Sequence, residues 1–275
     1  MVDIHCHLVP GVDDGAESLE ISLAMIEEAK QAGLSAILTT PHIRGRIADL
    51  GRHNEHKAAF ASVLAASPSI DLYLGCEVRV TLETHETISR SEFTASEQSK
   101  YILLELDFDG VPSYFSQLLF DYRLNGITPI VAHPERNTGV LRNPEYALEF
   151  VRQGALLQIT NGSLLGEWGE TFEQCARMLL ECGLVSIVAS DAHNVTTRRF
   201  VNWPATYDLL RDIEKNSPHS SLKADDLCTR NPLAVCQGRA IQPIELKGED
   251  IPKIRKRLSG NIRPPAVKRK RFFLF

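Results

Sequence analysis

The sequence predicts an α/β fold, a parallel barrel of about seven strands in the TIM-like manner. Three observations predict it. Short apolar runs alternate with helical patterns, which implies parallel strands. The runs are continuously apolar, as in strands covered on both faces. Their ends recur near residues 7, 42, 77, 105, 133, 161 and 191, at intervals the size of one strand–helix unit. A doubly wound open sheet is the alternative for the same alternation.

The first run is VDIHCHL (2–8). In a strand, residues two apart share a face, so His5 and His7 point one way while Ile4, Cys6 and Leu8 point the other. SLEISLAMIEEAKQAG (18–33) has apolar residues at 19, 23, 26 and 29 and predicts a helix. Ser18 is its N-cap and Gly33 its stop. AILTTPH (36–42) is the second strand, followed by a helix over 54–67. DLYLGCEV (71–78) is the third strand, and the polar segment 83–99 carries no assignable pattern. YILLELD (101–107), TPIVAHP (128–134), LLQITN (156–161) and VSIVASD (185–191) complete the seven. Helices are predicted between and after them over 112–125, 143–153, 167–182 and 204–215.

The chain divides into one catalytic barrel, 1–252, and a basic tail, 253–275. The net charge of -5 conceals this division. From Lys253 to Phe275 there are nine Lys or Arg and no acid, leaving 21 basic against 35 acidic residues in the body. An acidic body argues against nucleic acid as a partner. The tail contains Pro264-Pro265 and ends Phe272, Phe273, Leu274, Phe275. It reads either as a solvated terminus or as a contact for an anionic membrane surface. Six cysteines without a CxxC pair read as reduced, buried thiols. No secretory leader pattern and no bilayer-length apolar run is present, so a cytoplasmic protein is expected, with peripheral contact at the inner membrane through the tail.

Chemistry-bearing residues collect at the strand ends: His5, His7, His42, Glu77, Glu105, His133, Asp191 and His193. The C-terminal strand ends of a parallel barrel form its active face. The remaining histidines, His53, His56, His85 and His219, lie in polar stretches and are expected to be solvated. Buried carboxylates need counter-charges, and metal ions supply them. Asp14 joins from the loop after the first strand. Nine mixed imidazole and carboxylate ligands are too many for one ion and suit two or three Mn, Fe or Zn ions. Such a cluster activates water and clamps a phosphoryl group. HPERN (133–137) sets Arg136 beside it, and DAHNVTTRR (191–199) adds Arg198 and Arg199. Guanidinium forks there suit phosphate.

The motifs DIHCHLVPGVDDG, TTPH, GCEV, LLELDF, AHPERN and ASDAHN resemble those of the polymerase-and-histidinol-phosphatase (PHP) superfamily. Within it they resemble the metal-dependent protein-tyrosine phosphatases of the CpsB/CapC type, over roughly residues 1–200. The resemblance implies a distorted (β/α)7 barrel, the PHP fold. It also implies divalent ions, Mn first and Fe, Zn or Mg after it. One ion would sit on His5, His7, Glu77 and Asp191, a second on Glu77, Glu105 and His133, and a third on Asp14, His42 and His193. Arg136 and Arg198 would bind phosphate. The implied partner is a phosphotyrosine protein, a bacterial tyrosine kinase of capsule or exopolysaccharide biosynthesis. The chain departs from the family pattern at Ile43, where a second histidine is common, and in the basic loop RGRIADLGRHNEH.

Three other readings compete. A small-molecule phosphoesterase, such as a histidinol phosphatase, would use the same cluster. A metal-dependent amidohydrolase would commonly need a carboxylated lysine at a strand end, and no lysine stands at one. A metal-stabilised module that binds a kinase without catalysis is the non-enzymatic reading. Cysteine-based phosphatase chemistry is excluded, because the residues six after each cysteine are Val12, Leu82, Glu181, Val188, Ala234 and Gln242, none an arginine.

Overall fold

Strand and helix alternate as the apolar runs require, and every strand pairing is parallel. The computed structural model describes residues 1–44, 52–66, 69–83, 100–216 and 222–260. The strands are β1 (Val2–Asp3), β2 (Ala36–Thr39), β3 (His42–Ile43), β4 (Asp71–Leu74), β5 (Glu77–Arg79), β6 (Tyr101–Glu105), β7 (Thr128–Ala132), β8 (Leu156–Thr160) and β9 (Ile187–Ala189). They run in the orders β1-β2-β4 and β3-β5-β6-β7-β8-β9.

Two of the seven predicted strands are therefore each divided in two. The run 36–43 breaks at Thr40-Pro41, and the run 71–79 breaks at Gly75-Cys76. Pro41 has no N–H to give to a ladder. The register nevertheless continues: Ala36 pairs with Asp71 before the break, and His42 pairs with Glu77 after it. Gly75 N donates to Thr39 O (2.9 Å) and Glu77 N to Pro41 O (3.2 Å), which carries the pairing across. The ring closes between the first and last runs. Cys6 makes a parallel bridge with Ala192, Asp191 N donates to His5 O (2.7 Å), and His7 N donates to Ala192 O (2.8 Å). Seven runs thus form one irregular barrel. Its interior holds Val2, Ile4, Leu38, Leu103, Ile130, Ala132, Ile187 and Ala189, all buried.

The helices lie outside. Helix α1 (Leu19–Gln31) is capped by the Ser18 hydroxyl, which accepts from Ile21 N (3.4 Å), and Gly33 ends the turn with φ +84°. Met25, Ile26 and Ala29 are its buried face. Helices α3 (Phe115–Leu124), α5 (Glu145–Arg152), α7 (Glu170–Glu181) and α8 (Trp203–Asn216) fall where the periodicity places them. Helix α4 (Thr138–Arg142) is an extra short turn that the periodicity does not show, started by the Asn137 side chain accepting from Val140 N (3.0 Å).

Helix α2 (Arg52–Ala66) corrects one expectation. His53 and His56 are buried, not solvated. With Phe60 and Val63 they occupy one helical face, so two imidazoles complete a stripe that reads as polar in sequence. His85, His219, segment 84–99 and most of the basic loop after Ile43 lie outside the described residues. Helices α6 (Asn161–Leu164) and α9 (Asn231–Cys236) precede α10 (Ile251–Leu258), which packs on α7. Leu258 is buried, Ile251 and Ile254 pack on the core, and Arg257 Nη1 donates to Glu181 O (2.9 Å). The 252/253 division thus falls inside a docked helix. All six cysteines are buried and free. Among the described residues no helix is long and apolar enough to cross a membrane.

Candidate metal centre

The strand ends deliver their polar residues to one mouth. His5 and His7 follow β1 on the segment that closes the ring, with ring centroids 5.5 Å apart. His42 opens β3, Glu77 opens β5 and Glu105 ends β6. His133 follows β7 directly, and Asp191 and His193 follow β9. Asp14 comes from the loop between β1 and α1.

Glu77 is the hub. One of its oxygens lies 3.2 Å from His5 Nε2 and 3.1 Å from His133 Nε2. The other lies 3.4 Å from His7 Nε2 and 3.0 Å from His42 Nδ1. Asp191 Oδ1 stands 3.3 Å from His5 Nε2 and 3.4 Å from His7 Nε2. Asp14 Oδ1 stands 3.3 Å from His42 Nε2 and 3.6 Å from His193 Nε2. Four sets gather donor atoms closely enough for an ion: His7, Asp14, His42 and His193; His5, Glu77 and His133; His5, His7 and Asp191; His42, Glu77 and Glu105. All nine residues named from the sequence are therefore together. The grouping differs from the one the resemblance implies, because His7 also joins the Asp14 set and Glu105 sits with His42, not His133.

The chemistry of the donors fits divalent ions. Nε2 of His5, His7 and His193 and Oε2 of Glu77 are buried with no hydrogen-bond partner. Such atoms are costly to leave unmatched. Nitrogen and carboxylate donors together suit Mn, Fe or Zn. Burial alone would raise Glu77 and Asp191, yet the surrounding imidazoles outweigh it and hold both carboxyls well below the usual range. Burial, then the neighbouring His7, lowers His193 to about 4 and leaves its ring neutral at neutral pH.

Outer residues orient these candidate donors. His5 Nδ1 pairs with Gln158 Oε1 (2.8 Å), and His7 Nδ1 pairs with Asp13 Oδ2 (2.8 Å). Asp13 also accepts from the backbone N–H of Gly15 (2.9 Å) and His42 (3.0 Å). Arg79 donates from Nε to Glu105 Oε2 (3.0 Å) and from Nη1 to Asp107 Oδ1 (2.8 Å). Sequence reasoning assigned no role to these three. The signal that could have found Gln158 is a primary amide in the middle of the apolar run LLQITN. The signal that could have found Arg79 is its place two residues from Glu77, on the same strand face.

Arg136 and Arg198 both reach the mouth. Arg136 Nη1 donates to Asp191 Oδ2 (2.8 Å), and Arg198 Nη2 donates to the same oxygen. Arg198 Nε is buried without a partner. Arg199 turns away and binds Glu28 (Nε to Oε2, 2.8 Å).

Comparison with known proteins agrees with this geometry. Residues 1–237 match the family described as capsular polysaccharide synthesis, CpsB/CapC. The tyrosine-protein phosphatase YwqE of Bacillus subtilis (strain 168) is 35% identical over 244 residues, 84% of this chain and 92% of that protein. The tyrosine-protein phosphatase CpsB of Streptococcus pneumoniae is 30% identical over 252 residues, 88% of this chain and 100% of that protein. A crystal structure from work on those two, described as metal-dependent tyrosine phosphatases, superposes with a TM-score of 0.74 at 33% identity, covering 90% of this chain and 100% of the other. An amidohydrolase from Mycoplasma synoviae shares the fold at 12% identity, with a TM-score of 0.55 and 95% of each chain covered.

Proposed function

From the premise that this chain belongs to the CpsB/CapC family, we propose that it is a metal-dependent protein-tyrosine phosphatase whose substrate is a bacterial tyrosine kinase of capsule or exopolysaccharide assembly. The observation that carries the reading is the set of buried, unmatched donor atoms directly beside two converging arginines. Two or three divalent ions, Mn before Fe, Zn or Mg, would be held by His5, His7, Asp14, His42, Glu77, Glu105, His133, Asp191 and His193. Ions so held supply a nucleophilic water at neutral pH and polarise the phosphoryl group.

The chain's own residues do the rest. Gln158 and Asp13 fix the rings of His5 and His7, so Nε2 of each faces inward. Arg136 and Arg198 bind and orient the phosphate. Both donate to the same oxygen of Asp191, so their guanidinium groups converge beside the donor set, where a phosphoryl oxygen would meet their remaining N–H groups. Arg198 Nε is the further donor of a two-pronged grip. Cysteine is not needed. Burial pushes the Cys6 thiol well above its ordinary range, which makes it a poor nucleophile. The enzyme would work in the cytoplasm, and residues 261–275 would touch the anionic inner-membrane surface where such kinases are assembled.

The test is a substrate panel on the Mn-loaded chain. A phosphotyrosyl peptide is expected to be hydrolysed well above a phosphoseryl peptide and above histidinol phosphate, with activity lost in EDTA and in Asp191→Ala. Preference for histidinol phosphate would make it a metabolite phosphatase. Metal binding without hydrolysis of any ester would make it a binding module.

A further inference from the structure

Beside the ligand set stands an aromatic ring that the metal chemistry does not use. Phe108 lies three residues beyond β6 and is 40% exposed. Its ring is nearly parallel to that of His133, with an interplanar angle of 13° and centroids 6.0 Å apart. The Arg136 guanidinium lies 5.4 Å from the Phe108 centroid and 5.6 Å from that of Trp168.

A large apolar ring at a surface lowers its free energy by turning inward. Here the backbone holds it out. Thr138 N donates to Phe108 O (2.9 Å), and Asn137 Nδ2 donates to the carbonyls of Asp107 (2.6 Å) and Gly110 (2.9 Å). Gly139 lets the loop sit flush, since a Cβ there would lie 2.9 Å from both Val111 N and Asn137 Oδ1. The ring is therefore fixed at the mouth, backed by His133, with open surface left over.

We propose that Phe108 is a specificity-determining residue: it packs against the aryl ring of the substrate and selects aryl over alkyl phosphomonoesters. This rests on the phosphatase reading above. The same guanidinium that would hold the phosphate also touches Phe108. In phosphotyrosine the ring stands directly behind the phosphate, so a phosphate at Arg136 brings the substrate ring alongside Phe108. A small alkyl phosphate has no ring to place directly behind the phosphate.

Two competitive inhibitors separate ring from head. Phenylphosphonate and methylphosphonate share the anionic group and differ in the ring. Their inhibition constants are measured against p-nitrophenyl phosphate hydrolysis by the Mn-loaded full chain. The wild type is expected to favour phenylphosphonate. Phe108→Ala should cut that preference about fivefold and move the methylphosphonate constant by less than about twofold, at equal metal content. Phe108→Leu, which keeps apolar volume, should also lose most of the preference, and Phe108→Tyr should keep it. An unchanged preference in Phe108→Ala overturns the proposal. Equal weakening of both inhibitors also overturns it, because Phe108 would then act only by supporting Arg136. Should the wild type hydrolyse no ester, the phosphatase reading fails, and calorimetric titration of both phosphonates into wild type and Phe108→Ala still decides the ring contact.

Discussion

His133 and Asp191 adopt φ of +32° and +56°, left-handed values that cost a non-glycine residue on the order of 1–3 kcal/mol. Both are proposed ligands, and both sit where a strand must turn sharply to present a side chain at the mouth. Arg136, three residues after His133, shares that turn. If it holds phosphate and not metal, Arg136→Ala removes charge-assisted hydrogen bonds worth roughly 1.5–3 kcal/mol. The expected result is a fall in kcat/KM of about 10- to 100-fold with metal content unchanged. Loss of bound metal in that variant, read by plasma emission, would make Arg136 a structural residue. His56 tests a different side chain. It is buried with neither ring nitrogen hydrogen-bonded, and burial lowers it to about 4 from 6.5. The folded protein keeps it neutral, while the unfolded chain takes up a proton below about 6.5. Its contribution is therefore complete above pH 6.5 and is lost as pH falls toward 4, by up to about 1.4 kcal/mol per unit. His56→Leu should flatten the fall in unfolding free energy across that window, and parallel profiles for the two proteins would refute the assignment.

At the scale of elements, the seven runs were legible because strands covered on both faces must be apolar throughout. The breaks in two of them were not legible. Pro41 marks one, but a proline at a sheet position also fits an edge strand, and only the pairing of His42 with Glu77 shows that the register survives it. His53 and His56 were misread for a related reason: a buried helical stripe is inferred from apolar residues, and here imidazoles stand in two of its places. The proposed ligands other than Asp14 were legible because they cluster at the ends of the strand runs; Asp13 was not separable from Asp14 without the loop's path. That path depends on Gly15. A Cβ there would lie 2.0 Å from His7 O and 2.4 Å from His7 Cβ, both close to the backbone and unable to yield cheaply. Gly15→Ala is expected to displace the loop carrying Asp13 and Asp14. It should weaken metal retention during dialysis while the far-ultraviolet circular dichroism stays that of the wild type. Full retention of metal would show that the loop absorbs the change.

At the scale of the whole molecule, the acidic body and the basic end are one problem in charge. The helix Ile251–Leu258 belongs to the body: Leu258 is buried, and Arg255 reaches Glu149 Oε1 (3.4 Å). Removing residues from 253 onward would strip core contacts, so the informative deletion is 261–275. That segment carries Arg263, Lys268, Arg269, Lys270 and Arg271 ahead of Phe272, Phe273, Leu274 and Phe275. Each basic residue near an anionic bilayer is worth about 1 kcal/mol, and apolar residues beside them add burial at the interface. Repulsion from the acidic body is screened beyond about 10 Å at ordinary salt. The full chain should therefore sediment with vesicles rich in anionic lipid, and less so as salt rises. The chain lacking 261–275 should stay in the supernatant. Hydrolysis of a small phosphate ester should survive the deletion, since every proposed ligand lies before residue 194. Equal sedimentation of the two forms at low salt would remove the segment from any role at a membrane and leave it a solvated terminus.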